Sequence, residues 1–343
     1  MSTPRAARAV EKLGIGVVGA GFGRAVHVPA IRSDDRCRVV AIAAASDESA
    51  ERAATELGIE RWSGNWRNIV DDPDVRAVTV ALPPPLQVAV ASYAIKKGKH
   101  VFLEKPLATN ATEAKALLSA AGKHKVVHAI DFEFPEIPAW SRARALLPAL
   151  GDLRNVIVQW HFETYAHRTK ADSWKVKASE GGGTLNHFAS HVFYNLEWLL
   201  GPIARLSARL GDSGGFSEVL VDLWLTFRSG IPGTVAMSAN AVAGPGHTIQ
   251  IFGERGTLTL FNPGPAYFDG FTLTLGTRES VSPIPVERID KDRIDVVGRV
   301  MRRFVDAIVS GGSVEPNLTH GLRVQRLIDA ARRSSKDRSW VKV

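Results

Sequence analysis

Up to about residue 130 the chain alternates short apolar runs with helical patterns. The runs are 13–18, 38–44, 76–82, 100–103 and 125–130, each of the length and apolar density of a parallel strand covered on both faces. Between them the period changes to that of helices. In 110–121, Asn110 and Glu113 stand at capping-box spacing, Ala114, Leu117, Leu118 and Ala121 share one face, and Gly122 follows as a stop signal. Strand and helix in alternation predict an α/β unit over 1–131 with a doubly wound parallel sheet.

From 132 onward the pattern is different. After a helix over 139–150 come longer alternating stretches at 154–163, 203–209, 219–228, 233–240, 248–252 and 256–261. In one of them Val219, Val221, Leu223, Leu225 and Phe227 recur at every second position. That period marks a sheet with one face buried. Helical patterns over 296–310 and 318–334 close the chain. The segment 132–343 therefore reads as an α+β domain on a large, mainly antiparallel open sheet. No internal repeat is visible, and 211–215 and 262–265 read as loops.

The stretch GAGFGRAVHVPA, residues 19–30, directly follows the first strand and starts a helix. Glycines there let the backbone turn tightly and approach a pyrophosphate, whose charge meets the exposed amides of the helix start. Gly19 and Gly21 fill the first two positions of GxGxxG; the third holds Arg24, with Gly23 one step early. The setting predicts dinucleotide binding. The second strand runs into Ala43, Ala44, Ala45, Ser46 and Asp47, where an acid would hold the ribose of NAD. Asp47 either takes that part or caps the next helix, while Ser46 and Arg52 suit the 2′-phosphate of NADP, so the sequence admits both cofactors.

Composition narrows the class. A chain of 343 residues exceeds what one core usually serves, and 45% hydrophobic with 23% charged residues is the balance of a globular protein. No window has the apolar length of a membrane helix, and the basic opening lacks the apolar stretch of a secretory signal, so a cytoplasmic protein is expected. The one cysteine, Cys37, leaves no internal disulfide and no thiolate metal cage. The net charge of +8 suits an anionic partner, but the basic residues are scattered singly and in pairs, which argues for a phosphorylated small molecule over nucleic acid.

Four stretches together resemble the Gfo/Idh/MocA oxidoreductases: 19–30, then Leu82–Pro83–Pro84, then GKHVFLEKP over 98–106, then GGGTLNHFASH over 181–191. The resemblance covers nearly the whole chain. It implies a Rossmann domain followed by an open sheet with a substrate face and an oligomer face, in a homodimer or homotetramer. It also implies NAD or NADP and a sugar, nucleotide sugar or cyclitol as substrate. The cofactor is expected against Gly19, Gly21, Phe22, Gly23, Arg24, Ser46, Asp47, Leu82, Pro83, Glu104 and Lys105. Lys105, Trp174, Asn186, His187 and His191 are expected to meet the substrate, and the Lys105–Pro106 bond is expected to be cis.

Lys105 follows an apolar strand at the carboxyl end of the parallel sheet, where ligands bind in such folds. Burial and a neighbouring positive nicotinamide both disfavour its ammonium form, so it can hold a reacting oxygen and share its proton. Lys105 and His191 are therefore the expected catalytic pair. On a regular helix His187, His191 and Tyr194 share one face. The two histidines have metal-pair spacing, but no glutamate lies between them and no third ligand is evident, so no metal is expected. The family pattern places an aspartate four residues before the histidine, and here His187 stands in its place beside Asn186. Gln87 replaces a histidine that often follows the strand-end prolines. Trp160, Trp174 and Trp198 lie in the substrate half, where flat rings either stack on a sugar face or, as for most tryptophans, fill the core, and Trp174 with Lys175 matches a segment that approaches the substrate in the family. Glu133 in DFEFPE is a further polar candidate, or part of a hinge. Two alternatives remain at this level: a dinucleotide-bound sensor or scaffold without catalysis, and a glycosidase that uses its cofactor transiently.

Overall fold

The computed structural model describes residues 12–211, 217–264, 267–289 and 293–343. The basic opening and most of the expected loop at 211–215, with Pro265, lie outside them. Six strands form the first sheet: β1 (Leu13–Val18), β2 (Cys37–Ala43), β3 (Arg61–Ser63), β4 (Ala77–Val80), β5 (His100–Leu103) and β6 (His128–Ile130). Their order is β3-β2-β1-β4-β5-β6 and all pairs are parallel. This is the doubly wound arrangement, in which the order reverses between β1 and β4 and a crevice opens beyond the carboxyl ends there. All of β1 and β4 is buried, as continuous apolar runs require.

The second sheet has nine strands: β7 (Leu153–His161), β8 (Ile203–Gly211), β9 (Leu220–Phe227), β10 (Pro232–Ser238), β11 (Gly246–Gly253), β12 (Thr257–Asn262), β13 (Thr272–Gly276), β14 (Val281–Ile284) and β15 (Val341–Lys342). Their order is β14-β13-β12-β11-β7-β10-β9-β8-β15, antiparallel throughout except where β7 pairs β10. The alternation in β9 takes its predicted sense: Val221, Leu223, Leu225 and Phe227 are buried, while Leu220 and Trp224 are exposed at 44% and 47%.

Two helices differ from their sequence patterns. The helix begun by Asn110, whose side chain accepts from Glu113 N at 3.0 Å, runs through Gly122 to His124 and stops at Lys125, which adopts the left-handed conformation (φ 53°). The helix Arg293–Ser310, expected as part of the second unit, buries Val297, Val300, Met301, Phe304 and Val305 against the first sheet. There Phe304 meets Phe102 with ring centroids 5.8 Å apart. The chain thus returns to cover one face of the cofactor-side sheet, and this return brings Arg293 to the crevice.

Candidate active site

The glycine turn is shaped by what lies beside it. Gly19 has φ +118°, and a Cβ there would come within 2.3 Å of the Ala81 carbonyl oxygen, so a side chain is excluded by both conformation and space. Gly21 is exposed, with nothing near the position of a Cβ. The helix opens with a π-helical turn, Gly23–His27, before Val28–Arg32. This open, side-chain-free cradle at the end of β1 fits the pyrophosphate of a dinucleotide. Leu82 and Pro83 lie half-buried just beyond β4, and Phe22 packs edge-on against the His27 ring. Arg24, expected at the cofactor, pairs with Glu56 at 2.6 Å, near the far end of the helix Asp47–Leu57. Ser46, not Asp47, caps that helix: its side chain accepts from Ser49 N at 3.2 Å. Asp47 Oδ1 accepts from Gly64 N at 2.6 Å, and both Ser46 and Asp47 are exposed just beyond the end of β2.

Beyond β5 the chain enters Glu104–Lys105–Pro106, with the Lys105–Pro106 bond cis. Gln87 clamps this segment. Its Nε2 donates to the carbonyls of Glu104 (2.7 Å), Pro106 (3.0 Å) and Leu107 (3.3 Å), and its Oε1 accepts from Glu104 N at 3.1 Å. Lys105 Nζ donates to the carbonyl of His187 at 3.1 Å, bridging the two halves of the molecule. Burial lowers the Lys105 pKa, opposed by Glu104 and Glu133 and assisted by Lys175 and Arg293.

Beneath the lysine lies a polar network of which the sequence reading named only Glu104. The His27 ring is completely buried, and its Nε2 donates to Glu104 Oε1 at 3.1 Å. Asp131 bonds to Glu104 on the other side, and burial, with the charges of Glu133 and Glu104, raises its pKa well above the usual value. Burial opposes ionisation of Glu104 as well, but the His27 hydrogen bond, with the His27 and Lys105 charges, holds its pKa low. The ligand-capable atoms of His27, Glu104 and Asp131 lie within 4.8 Å of one another, and Glu104 joins the other two in a hydrogen-bond network. The available signal was a polar residue inside an apolar run, as at His27 in AVHVPA and Asp131 in AIDF.

The second half contributes the loop before the helix Ser190–Leu200. Gly183 has φ +105°, and a Cβ there would strike Glu218 Oε1 at 2.3 Å. Asn186 is fully buried and its Nδ2 donates to Gly181 O at 2.9 Å, so its amide braces this loop. Trp174 stands edge-on to His187, with centroids 5.7 Å apart. His191 stacks on Phe134 at 4.3 Å, and its Nδ1 faces Glu133 Oε2 at 3.9 Å. Leu185–Ala189 is a π-helical turn, whose extra residue offsets His187 from the face that His191 and Tyr194 share on the regular helix after it, where both rings meet Phe132. Tyr194 stacks on Phe132 at 4.4 Å and also lines an outer cleft with Glu136, Trp198 and Arg303. Trp160 is core, stacked on His247, and Trp198 lies under Arg144.

Charge in the crevice is uneven. Burial first, and Lys105 second, drive the pKa values of His187 and His191 well below that of free histidine, so both rings are neutral. Burial pushes Glu133 up to about 7, with Lys105 opposing it. Arg293, which the sequence reading missed, lies 5.4 Å from the Phe22 ring and 4.8 Å from that of Phe268, and its charge reaches Lys105, Glu133 and both histidines. A half-buried amine, two neutral imidazoles and one carboxyl poised near neutrality can hold a hydroxyl or carbonyl oxygen and exchange a proton with it.

Residues 13–132 match the oxidoreductase family with an NAD-binding Rossmann fold, and 147–343 match its C-terminal alpha/beta domain. An oxidoreductase of Synechocystis sp. is 31% identical over 96% of each chain. Levoglucosan dehydrogenase of Pseudarthrobacter phenanthrenivorans is 28% identical over 97% of this chain and 99% of its own. Inositol 2-dehydrogenase of Rhizobium meliloti is 24% identical over 96% and 98%. A solved levoglucosan dehydrogenase in complex with NADH and levoglucosan superposes with a TM-score of 0.87 at 26% identity, covering 97% of this chain and all of that one. Among the described residues no helix is long and apolar enough to cross a membrane.

Proposed function

Because the chain belongs to the Gfo/Idh/MocA family of NAD-binding oxidoreductases, we propose that it is a dehydrogenase or reductase acting at a hydroxyl- or keto-bearing carbon of a sugar, nucleotide sugar or cyclitol. The observation that carries this reading is Lys105: a half-buried amine beyond β5, clamped by Gln87 through its backbone and bonded to the loop of the other half. Bound NAD or NADP supplies the hydride acceptor or donor. The chain's own part is to bind, orient and exchange a proton. Lys105 holds the reacting oxygen and stabilises the charge that develops on it. His191, kept neutral by burial, is the acid/base partner. Trp174 and His187 form the flank on which a sugar ring rests.

The exposed face of the second sheet, with Leu220 and Trp224, is the surface this reading gives to a homodimer or homotetramer. A cytoplasmic setting agrees with the single, buried Cys37. The test is NADH or NADPH formation over a panel of levoglucosan, inositols, free hexoses and nucleotide-linked sugars. Turnover with at least one of them, abolished in Lys105→Met while dinucleotide binding survives, is the expected result. Tight dinucleotide binding without redox chemistry anywhere in the panel would transfer support to a sensor or scaffold. Release of an aglycone without net cofactor change would point to a redox-assisted glycosidase.

A further inference from the structure

Position 187 cannot supply the carboxylate that the family pattern places there, because a neutral imidazole occupies it and its carbonyl is taken by Lys105. Glu104 is also committed, holding His27 on one side and Asp131 on the other. Glu133 is different. It is 6% exposed, its Oε2 is buried without a hydrogen-bond partner, and so is His191 Nδ1, the atom it faces at 3.9 Å. Two buried, unpaired polar atoms aimed at each other are costly to maintain and call for a use. Catalytic hydrogen bonds are often long before substrate arrives and tighten in the complex.

Resting on the reading of Lys105 and His191 above, we infer that Glu133 supplies the carboxylate of the proton path, orienting His191 through Nδ1 and receiving the proton His191 relays from the substrate hydroxyl. In the oxidation direction the C–H bond breaks and its electron pair leaves with hydrogen as hydride to NAD+, reducing it. The O–H bond breaks and its proton passes to His191 Nε2, while the Nδ1 proton moves to Glu133 Oε2. The alcohol becomes a carbonyl and one proton rests on Glu133, from where it is released to solvent. The reduction direction runs the same bonds backward. Glu133 does not touch substrate on this account; it is a positioning and relay residue acting through His191. The groups facing it are Lys105 and Glu104 at the end of β5, Asp131 on its own segment, His191 on its helix, Tyr267 before β13, and Arg293 at the start of the helix that covers the first sheet. Since the burial of Glu133 raises its pKa to about 7, the ionised acceptor grows in through neutrality, so oxidation should gain rate across that range and reduction should lose it.

The test uses the full chain as wild type, Glu133→Gln, Glu133→Asp and Lys105→Met, each with the sugar or cyclitol that turns over fastest in the panel. Glu133→Gln should lower kcat by about tenfold or more, leave KM for NAD+ unchanged and flatten the pH profile, with Glu133→Asp recovering part of both. A second readout needs no turnover: 15N NMR of the histidine rings in the cofactor-free protein. There the His191 nitrogens should shift with the titration of Glu133 in wild type and lose that response in Glu133→Gln, whose amide can still accept the hydrogen bond. An unchanged pH profile and unchanged His191 response in Glu133→Gln would overturn the inference. If Lys105→Met loses turnover in the same experiment, only the role of Glu133 falls; if Lys105→Met keeps its turnover, the underlying reading of the site falls with it.

Discussion

The two sides of the crevice are built on different principles. The cofactor side is made of backbone: a glycine with positive φ, an open second glycine and a helix start, all within one short stretch after β1. The side proposed to handle protons is made of side chains from distant segments, Lys105, Glu133, His191 and Arg293, whose properties arise from burial and mutual charge. A backbone site tolerates many neighbours but no Cβ; a side-chain site tolerates sequence change only if the charges are redistributed. His187, which stands where the family resemblance implies an aspartate, falls on the second kind of site, where we propose that Glu133 supplies the carboxylate.

Perturbing each side should separate them. Lys105→Met strikes the side-chain site and should reduce turnover by about 10²–10⁴-fold, with dinucleotide affinity preserved; stopped-flow single turnovers and fluorescence titration with NADH check both. Gly19→Val strikes the backbone site, forcing a β-branched residue into φ +118° against the Ala81 carbonyl. It should cost about 1–3 kcal/mol of cofactor binding or folding, seen by calorimetry as a weakened Kd with a lowered Tm. Gln87→Leu, on the boundary, leaves Glu104 N and three carbonyls without their clamp, for a loss of about 1–3 kcal/mol in thermal unfolding and a drop in kcat greater than any change in cofactor Kd.

The smallest effect is a pH dependence of stability. Because Glu133 has its pKa raised to about 7, the folded state holds a proton that the unfolded chain has already released. Wild type should therefore lose stability relative to Glu133→Gln as pH rises from the ordinary glutamate range through about 7, and the two melting curves should converge toward acid. A constant offset between them would mean that Glu133 is ionised throughout.

This division also explains what could be read from the chain. The doubly wound sheet, the alternating β9 and the glycine turn are local patterns, and they appear where expected. The short strands β3, β13, β14 and β15 carry too few residues to show a period. The common face for His187, His191 and Tyr194 assumed one continuous helix, and a π-helical turn offsets His187 from the other two. Arg24 stands in the glycine turn, and its partner Glu56, 32 positions away, has no local signal. Gln87 read as a lost histidine, whereas its value lies in binding backbone on both sides of Lys105, a contact between residues 17 to 20 positions apart. Arg293 had no local signal at all, since the return of a C-terminal helix to the first sheet places it.

The most direct measurement is a crystal structure of the full chain with NAD and a turned-over sugar or cyclitol. The account predicts Lys105 Nζ and His191 Nε2 both at hydrogen-bond distance, about 2.6–3.2 Å, from the oxygen on the carbon that faces the nicotinamide. A ternary complex in which that oxygen is held by other groups, with Lys105 still spent on the His187 carbonyl, would contradict it.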